Sequence, residues 1–243
     1  MKNTNIIAMA GDGLRFVKAG YKIIKPLVTF KKKPLIFYSN KSLPNATQTI
    51  FVCRQHHFKI FKINNLFKKF FKNFKFVILK RKNFGQAVSC NEAIKKVQNN
   101  TYITFGSCDY SYSFNKKKYY NLVKNFDLVV FVTKPNNSML KNFKQYGWLK
   151  KGKKNKVLDI KCKKTVSKNP KKDYVIIGSF TFKNKKIFKR SYNQMIKQKH
   201  KINNEYYMDI VAQKTILLKY NVGLIKVSNY KNFGTPQTLS TYE

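Results

Sequence analysis

The sequence predicts an α/β sandwich on a largely parallel sheet, and three observations lead there. Short apolar runs alternate with longer amphipathic ones along the 243 residues. Several apolar runs read as continuous Val, Ile and Phe, the pattern of strands covered on both faces. A hydrophobic content of 43% gives a chain of this length ample core and excludes a disordered basic tail.

The first predicted strand, Asn5–Met9, is an apolar run ended by Gly11. Thr49–Cys53, Lys75–Leu79 and Tyr102–Phe105 follow as short β-branched and aromatic runs, and Leu128–Thr133 is continuously apolar apart from its last residue. Tyr174–Phe182 is the longest, interrupted by Gly178, and Val222–Val227 is the last. Between them, helical spacing predicts helices over Phe58–Phe71, Ala87–Val97, Lys116–Lys124, Ile187–Lys197 and Tyr206–Lys219. In the second of these, Ala87, Cys90, Ala93 with Ile94, and Val97 keep the helical period. There is no internal repeat and no Pro/Gly-rich linker. The Lys-rich stretch Lys141–Lys172, with Gly147, Gly152 and Pro170, reads as an insertion, so residues 1–243 read as one domain.

The charge is extreme: 51 Lys plus Arg against 9 Asp plus Glu, a formal net of +42. One reading is a nucleic-acid or polyanion surface. Against it, the arginines, which supply the planar forks that read phosphates and bases, are only Arg15, Arg54, Arg81 and Arg190. The abundance of Lys, Asn, Phe, Ile and Tyr is also what drift in an AT-rich genome produces, and this second reading is favoured. The acids are more informative. Asp12, Glu92, Asp109, Asp127, Asp159, Asp173, Glu205, Asp209 and Glu243 are the whole supply for a metal site or a general base.

Cys53, Cys90, Cys108 and Cys162 stand far apart, and His56–His57 is distant from His200, so neither a zinc ribbon nor a disulfide framework is expected. The apolar run Ile6–Ala10 is too short for a signal peptide, and no stretch approaches a membrane span. A cytoplasmic protein is expected.

The chemistry-bearing motif is the exit of the first strand, Ala10-Gly11-Asp12-Gly13-Leu14-Arg15-Phe16. Glycines there let backbone N–H groups approach a phosphate, at the end of the sheet where ligands of open α/β folds bind. Arg15 adds a delocalised cation. The chain continues Lys18-Ala19-Gly20-Tyr21-Lys22-Ile23-Ile24-Lys25-Pro26-Leu27-Val28. This whole stretch resembles the opening of the sugar-nucleotide nucleotidyltransferases, Gly-x-Gly-x-Arg-Phe followed by Pro-Lys-Pro-Leu. It is similar in particular to stand-alone members from capsule and surface-polysaccharide clusters. Met9–Phe16 and Gly20-Tyr21 match, and Lys25-Pro26-Leu27 follows with Ile24 in place of the first proline.

The resemblance runs from Asn5 to about Leu239 and implies a Rossmann-like three-layer sandwich, α/β with a mixed, mostly parallel central sheet. It implies that the backbone of Ala10, Gly11 and Gly13 holds the nucleotide phosphates, and that Arg15 and Lys25 steady the pyrophosphate leaving group. Gly85-Gln86-Ala87 resembles the family's Gly-Ala-Ala element, where the glycine lies against the base. Asp109, which follows the strand end at Phe105 through Gly106-Ser107-Cys108, falls where the family binds Mg²⁺. Val157–Lys164 resembles the family's Val-x-Glu-Val-x-Glu-Lys segment: Lys163 takes the position that contacts the acceptor phosphate, and Cys162 replaces the Glu that contacts the sugar. Gly178 and Glu205, the latter in Asn203-Asn204-Glu205-Tyr206-Tyr207, take acceptor-side positions. Asn232-Phe233-Gly234-Thr235-Pro236 resembles the closing Gly-Thr-Pro element, with Asn232 where many relatives have a second metal-binding Asp. The implied partners are an NTP and a sugar 1-phosphate, joined to an NDP-sugar for surface polysaccharide synthesis. The alternative is a degenerate nucleotide-binding transferase fold, with Ile24, Cys162 and Asn232 as its departures from the pattern, that serves as a nucleic-acid or polyanion binder.

Overall fold

The computed structural model describes residues 2–81 and 84–242. In chain order the strands are β1 (Asn3–Ala8), β2 (Thr29–Phe30), β3 (Lys33–Pro34), β4 (Gln48–Arg54), β5 (Phe74–Leu79), β6 (Tyr102–Gly106), β7 (Tyr110–Ser113), β8 (Leu128–Thr133), β9 (Gly147–Lys151), β10 (Val157–Cys162), β11 (Tyr174–Phe182), β12 (Val222–Lys226) and β13 (Ser228–Asn232). All seven sequence-predicted strands are present, with ends shifted by up to two residues.

Alternation of side chains explains why both faces of the sheet are apolar. Ile6, Ile50, Leu128, Val130 and Val132 pack on one face, and Ile7, Phe51, Val129 and Phe131 on the other. Helices Gln86–Ile94, Lys185–Lys197 and Met208–Leu217 cover the first face. Helices Leu35–Ser42, Ile63–Lys68 and Lys116–Asn125 cover the second. The architecture is the three-layer mixed sandwich that the resemblance implied.

Strands β5, β4, β1 and β6 lie side by side and parallel, and β12 lies parallel to β8. The long β11 runs antiparallel between these two sets. Its first part, Tyr174–Ile176, pairs with β9, and its last, Phe180–Phe182, pairs with β6. Gly178, at φ +77°, sits where pairing passes from one neighbour to the other. The chain leaves β1 towards β4 on one side and later returns to β6 on the other. The carboxyl ends of β1 and β6 therefore bound a crevice at a topological switch point.

Three features differ from the sequence reading. Helix Phe58–Phe71 is broken into Gln55–Ile60 and Ile63–Lys68, because Lys62 takes a left-handed conformation at φ 44°. The Lys141–Lys172 stretch carries β9 and β10, an antiparallel pair that widens the sheet, with Trp148 fully buried. Finally β7 and β13 form a ribbon that carries Asn232 to Tyr110, and the Phe233 N–H donates to the Asp109 carbonyl at 2.8 Å.

Phe105 is the centre of the first core face, with Phe188 and Phe182 ring centroids at 4.6 and 5.7 Å. Phe105→Ala leaves a cavity in close-packed surroundings and is expected to destabilise by about 3–5 kcal/mol. The urea midpoint at constant m-value measures this.

Candidate functional site

The first loop is built by backbone geometry. Met9 is buried and its N–H donates to the Val52 carbonyl at 2.8 Å, so the chain stays strand-like one residue past β1. It then turns through Ala10–Gly13 into the short helix Leu14–Lys18. Gly13 adopts φ +63°, and a side chain there would press the Lys25 Cβ at 3.4 Å. Buried Phe16, edge-on to Tyr21 at 5.1 Å, anchors the loop from below. Asp12 is ion-paired with Arg54, at the end of β4.

Across this loop stand Lys25 and Asp109. Lys25 opens the short turn Lys25–Leu27, and Pro26 and Leu27 are buried beneath it. Its Nζ donates to Asp109 Oδ2 at 2.6 Å, and the Ser107 hydroxyl donates to Oδ1. Burial alone would push the Asp109 carboxyl up, but the Lys25 ammonium and the Ser107 donor hold it below the usual carboxylate range. Burial would likewise lower Lys25, and the Asp109 charge outweighs it, so the ammonium is held above its usual value.

The opposite wall comes from two distant segments. Gly85 has φ +110°, and a Cβ there would stand 2.5 Å from the Tyr206 carbonyl oxygen and 2.6 Å from its nitrogen. Tyr206 donates to the Phe84 carbonyl at 2.8 Å and accepts from the Ala87 N–H at 3.1 Å. Only glycine permits this lacing, and it brings Glu205 beside Gly85. Ala10, Gly11, Gly13, Arg15, Lys25, Gly85, Glu205 and Ser107 all line one cleft of about 450 Å³. Glu205, assigned to the acceptor side by resemblance, thus borders the same cleft as the phosphate loop, and it accepts from the Tyr207 hydroxyl at 2.6 Å.

Lys163 and Gly178 do not line that cleft. Lys163 follows β10 in a left-handed conformation, its Nζ 4.7 Å from the Tyr207 ring centroid. A Cβ on Gly178 would lie 3.3 Å from the Tyr110 ring and 3.4 Å from the Ser107 Cβ, so Gly178 packs against the segment that flanks Asp109. Asn232 turns its Oδ1 to the Gly234 N–H at 2.8 Å. A Cβ on Gly234 would be 2.8 Å from that oxygen and 3.6 Å from Asp109 Oδ2, so both oxygens face one small space.

Sequence reasoning missed several groups here. Arg54, Tyr110 and Tyr230 come from separate elements, the two rings 5.4 Å apart. Asp209 is the most telling. It sits in the first turn of Met208–Leu217, half-buried, hydrogen-bonded to the Cys162 thiol, and burial pushes its carboxyl up to about 6 against the pull of Cys162 and Lys163. Its rarity as one of nine acids was the available signal.

Among the described residues no three His, Cys, Asp or Glu side chains gather as a metal cluster, and no helix is long and apolar enough to cross a membrane. The fold and the phosphate-loop cleft define a nucleotide-handling α/β protein. The family model for nucleotidyl transferases matches residues 4–223, and the chain belongs to that family of enzymes. Comparison with curated proteins finds no match. Among solved structures, the chain is similar to the nucleoside-diphosphate-sugar pyrophosphorylase of Vibrio cholerae, with a TM-score of 0.80 and 19% identity over 98% of both chains. It is also similar to the inositol-1-phosphate CTP transferase of T. maritima, with a TM-score of 0.74 and 17% identity over 98% of this chain and 91% of the other. HddC of Yersinia pseudotuberculosis, solved with GMP-PN, gives 0.66 and 17% over 99% and 97%.

The raised Asp209 carboxyl has a consequence for stability. The folded state holds this proton more tightly than the unfolded chain, so stability falls as pH rises from about 4 to about 6 and is not regained above. Asp209→Asn removes that dependence. Its melting temperature is expected to match the wild type near pH 4 and to exceed it from pH 6 upward, as thermal melts across that range will measure.

Proposed function

We propose that residues 1–243 form a single nucleotidyltransferase domain that joins an NTP to a sugar 1-phosphate, giving an NDP-sugar and pyrophosphate. The observation that carries this reading is the Lys25–Asp109 pair at 2.6 Å, whose lysine lines one cleft with the glycine loop. A loop of backbone donors, two cations and one carboxylate is what transfer at a triphosphate requires. The fold neighbours from V. cholerae and T. maritima, named for sugar nucleotides and for inositol 1-phosphate, support the class of acceptor.

In this reading the backbone of Ala10, Gly11 and Gly13 holds the triphosphate, and Gly85 gives the base a flat wall. Arg15 and Lys25 lie on the leaving-group side. An acceptor phosphate oxygen forms a bond to the α-phosphorus while the bond from that phosphorus to pyrophosphate breaks. Charge moves onto pyrophosphate, so fixed cations there favour the transition state over the ground state. The attacking oxygen is already ionised near neutral pH, and no general base is needed. Lys163, Gly178 and Glu205 receive the acceptor.

The donor set suits magnesium, which prefers hard oxygens and few protein carboxylates. Asp109 would hold it, with the Asn232 amide oxygen facing the same space over Gly234. When bound, the ion neutralises phosphate charge and aligns nucleotide with acceptor. Lys25 then has the triphosphate as an alternative partner to Asp109. The resemblance to capsule-type members supports a role in the cytosol, supplying activated sugar for surface polysaccharide.

Pyrophosphate release over a panel of four NTPs and several sugar 1-phosphates with Mg²⁺ tests the reading. At least one pair is expected to turn over, and Asp109→Ala and Lys25→Ala are each expected to lower kcat by about 10²- to 10³-fold, the scale for losing one preorganised charge contact. Silence across the panel, or full activity in Asp109→Ala, would contradict it.

A further inference from the structure

Asp209 is a carboxylate that the proposed transfer chemistry leaves unused. The start of helix Met208–Leu217 brings it against β9, where a Cβ on Gly147 would stand 2.6 Å from its Cγ. Glycine at 147 therefore leaves the space the carboxylate fills. Gly147 in turn lies opposite Cys162 in β10 and Ile176 in β11, which places Asp209 at the centre of three strands. Its hydrogen-bond partner is the Cys162 thiol, a weak donor. Lys163 stands next in the chain, with its ammonium on the Tyr207 ring, and Tyr110 shares the same electrostatic neighbourhood.

Burial disfavours the Asp209 carboxylate and the Lys163 ammonium favours it, so the carboxylate lies beside the residue proposed to receive the acceptor phosphate. There it is placed to take hydrogen bonds from a bound partner. The surroundings say which kind. Tyr110 and Tyr230 offer apolar ring faces, Lys163 offers a cation for a phosphate, and the carboxylate accepts hydrogen bonds without donating any at neutral pH. The matching ligand carries several hydroxyls, C–H faces and a phosphate.

We infer that Asp209 is a specificity-determining residue for the acceptor, its carboxylate taking hydrogen bonds from the hydroxyls of a polyhydroxylated phosphate ester. This rests on the reading of the neighbouring cleft as a nucleotidyl-transfer site. It assigns hydroxyl recognition to the helix Met208–Leu217, whereas the phosphate is held from β6 and β10.

Calorimetric titration tests it on the full chain with a non-hydrolysable NTP and Mg²⁺ present. The probes are glucose, galactose, mannose and N-acetylglucosamine 1-phosphates, singly deoxygenated analogues of the tightest binder, and inorganic phosphate. The wild type is expected to bind one deoxy analogue about ten- to a hundredfold more weakly than its parent, the scale for hydrogen bonds to a charged group. Asp209→Asn is expected to lose that discrimination while NTP affinity holds and the melting temperature stays level or rises. Asp209→Ser, which leaves the space open, is the second variant and is expected to behave alike. Unchanged discrimination in both variants would overturn this inference alone. A wild-type chain that binds NTP but none of the esters would overturn the transfer reading together with it.

Discussion

The Lys25–Asp109 ion pair joins residues 84 positions apart, and the cleft is organised around holding them together. Each charge has lost most of its water, so each is tolerable only with the other present. Pro26 and Leu27 bury the turn that aims Lys25, and Ser107 and the β7–β13 ribbon fix Asp109. Gly13 takes φ +63° beside Lys25, and Gly234 leaves the space that the Asn232 amide oxygen fills. The pair's contribution has a wide pH window. The depressed Asp109 supplies stability that is lost only as pH falls below the ordinary carboxylate range. The raised Lys25 supplies stability that is lost only as pH rises above the ordinary lysine value. Between those limits both partners stay charged, each offsetting the cost of the other's burial.

The legible parts of this protein were those written locally. β8 and β11 are runs of apolar residues, and their bounds could be read without knowing their neighbours. The phosphate loop is likewise local, since glycine spacing after a strand controls backbone directly. The β7–β13 ribbon was hidden because Tyr-Ser-Tyr-Ser is only four residues long and Ser-Asn-Tyr-Lys-Asn carries a single aromatic residue. β9 and β10 were hidden by lysines on an exposed sheet edge. The break at Lys62 carries no glycine or proline to announce it. Within the site, Asp109 was legible from its place after β6, whereas Asp209 draws its meaning from Gly147 and Cys162, which only the folded sheet brings near.

The +42 charge takes on a narrower meaning in this setting. A positive field raises the local concentration of anionic nucleotides and phosphate esters. It does not by itself orient them. Scarce acids fix the geometry of the cleft itself: Asp12 ties the loop to Arg54, Asp109 holds Lys25, and Glu205 holds the Tyr207 hydroxyl. The protein is specified at its cleft by carboxylates set against a basic background.

The most direct test of the central ion pair is a crystal structure with a non-hydrolysable NTP and Mn²⁺ in place of Mg²⁺, the metal located by its anomalous signal. The expected result is the triphosphate on Ala10–Gly13, Mn²⁺ on Asp109, and Lys25 Nζ moved from the carboxylate to a phosphate oxygen. A nucleotide bound elsewhere, or a metal seated away from Asp109 with the Lys25 contact intact, would contradict it.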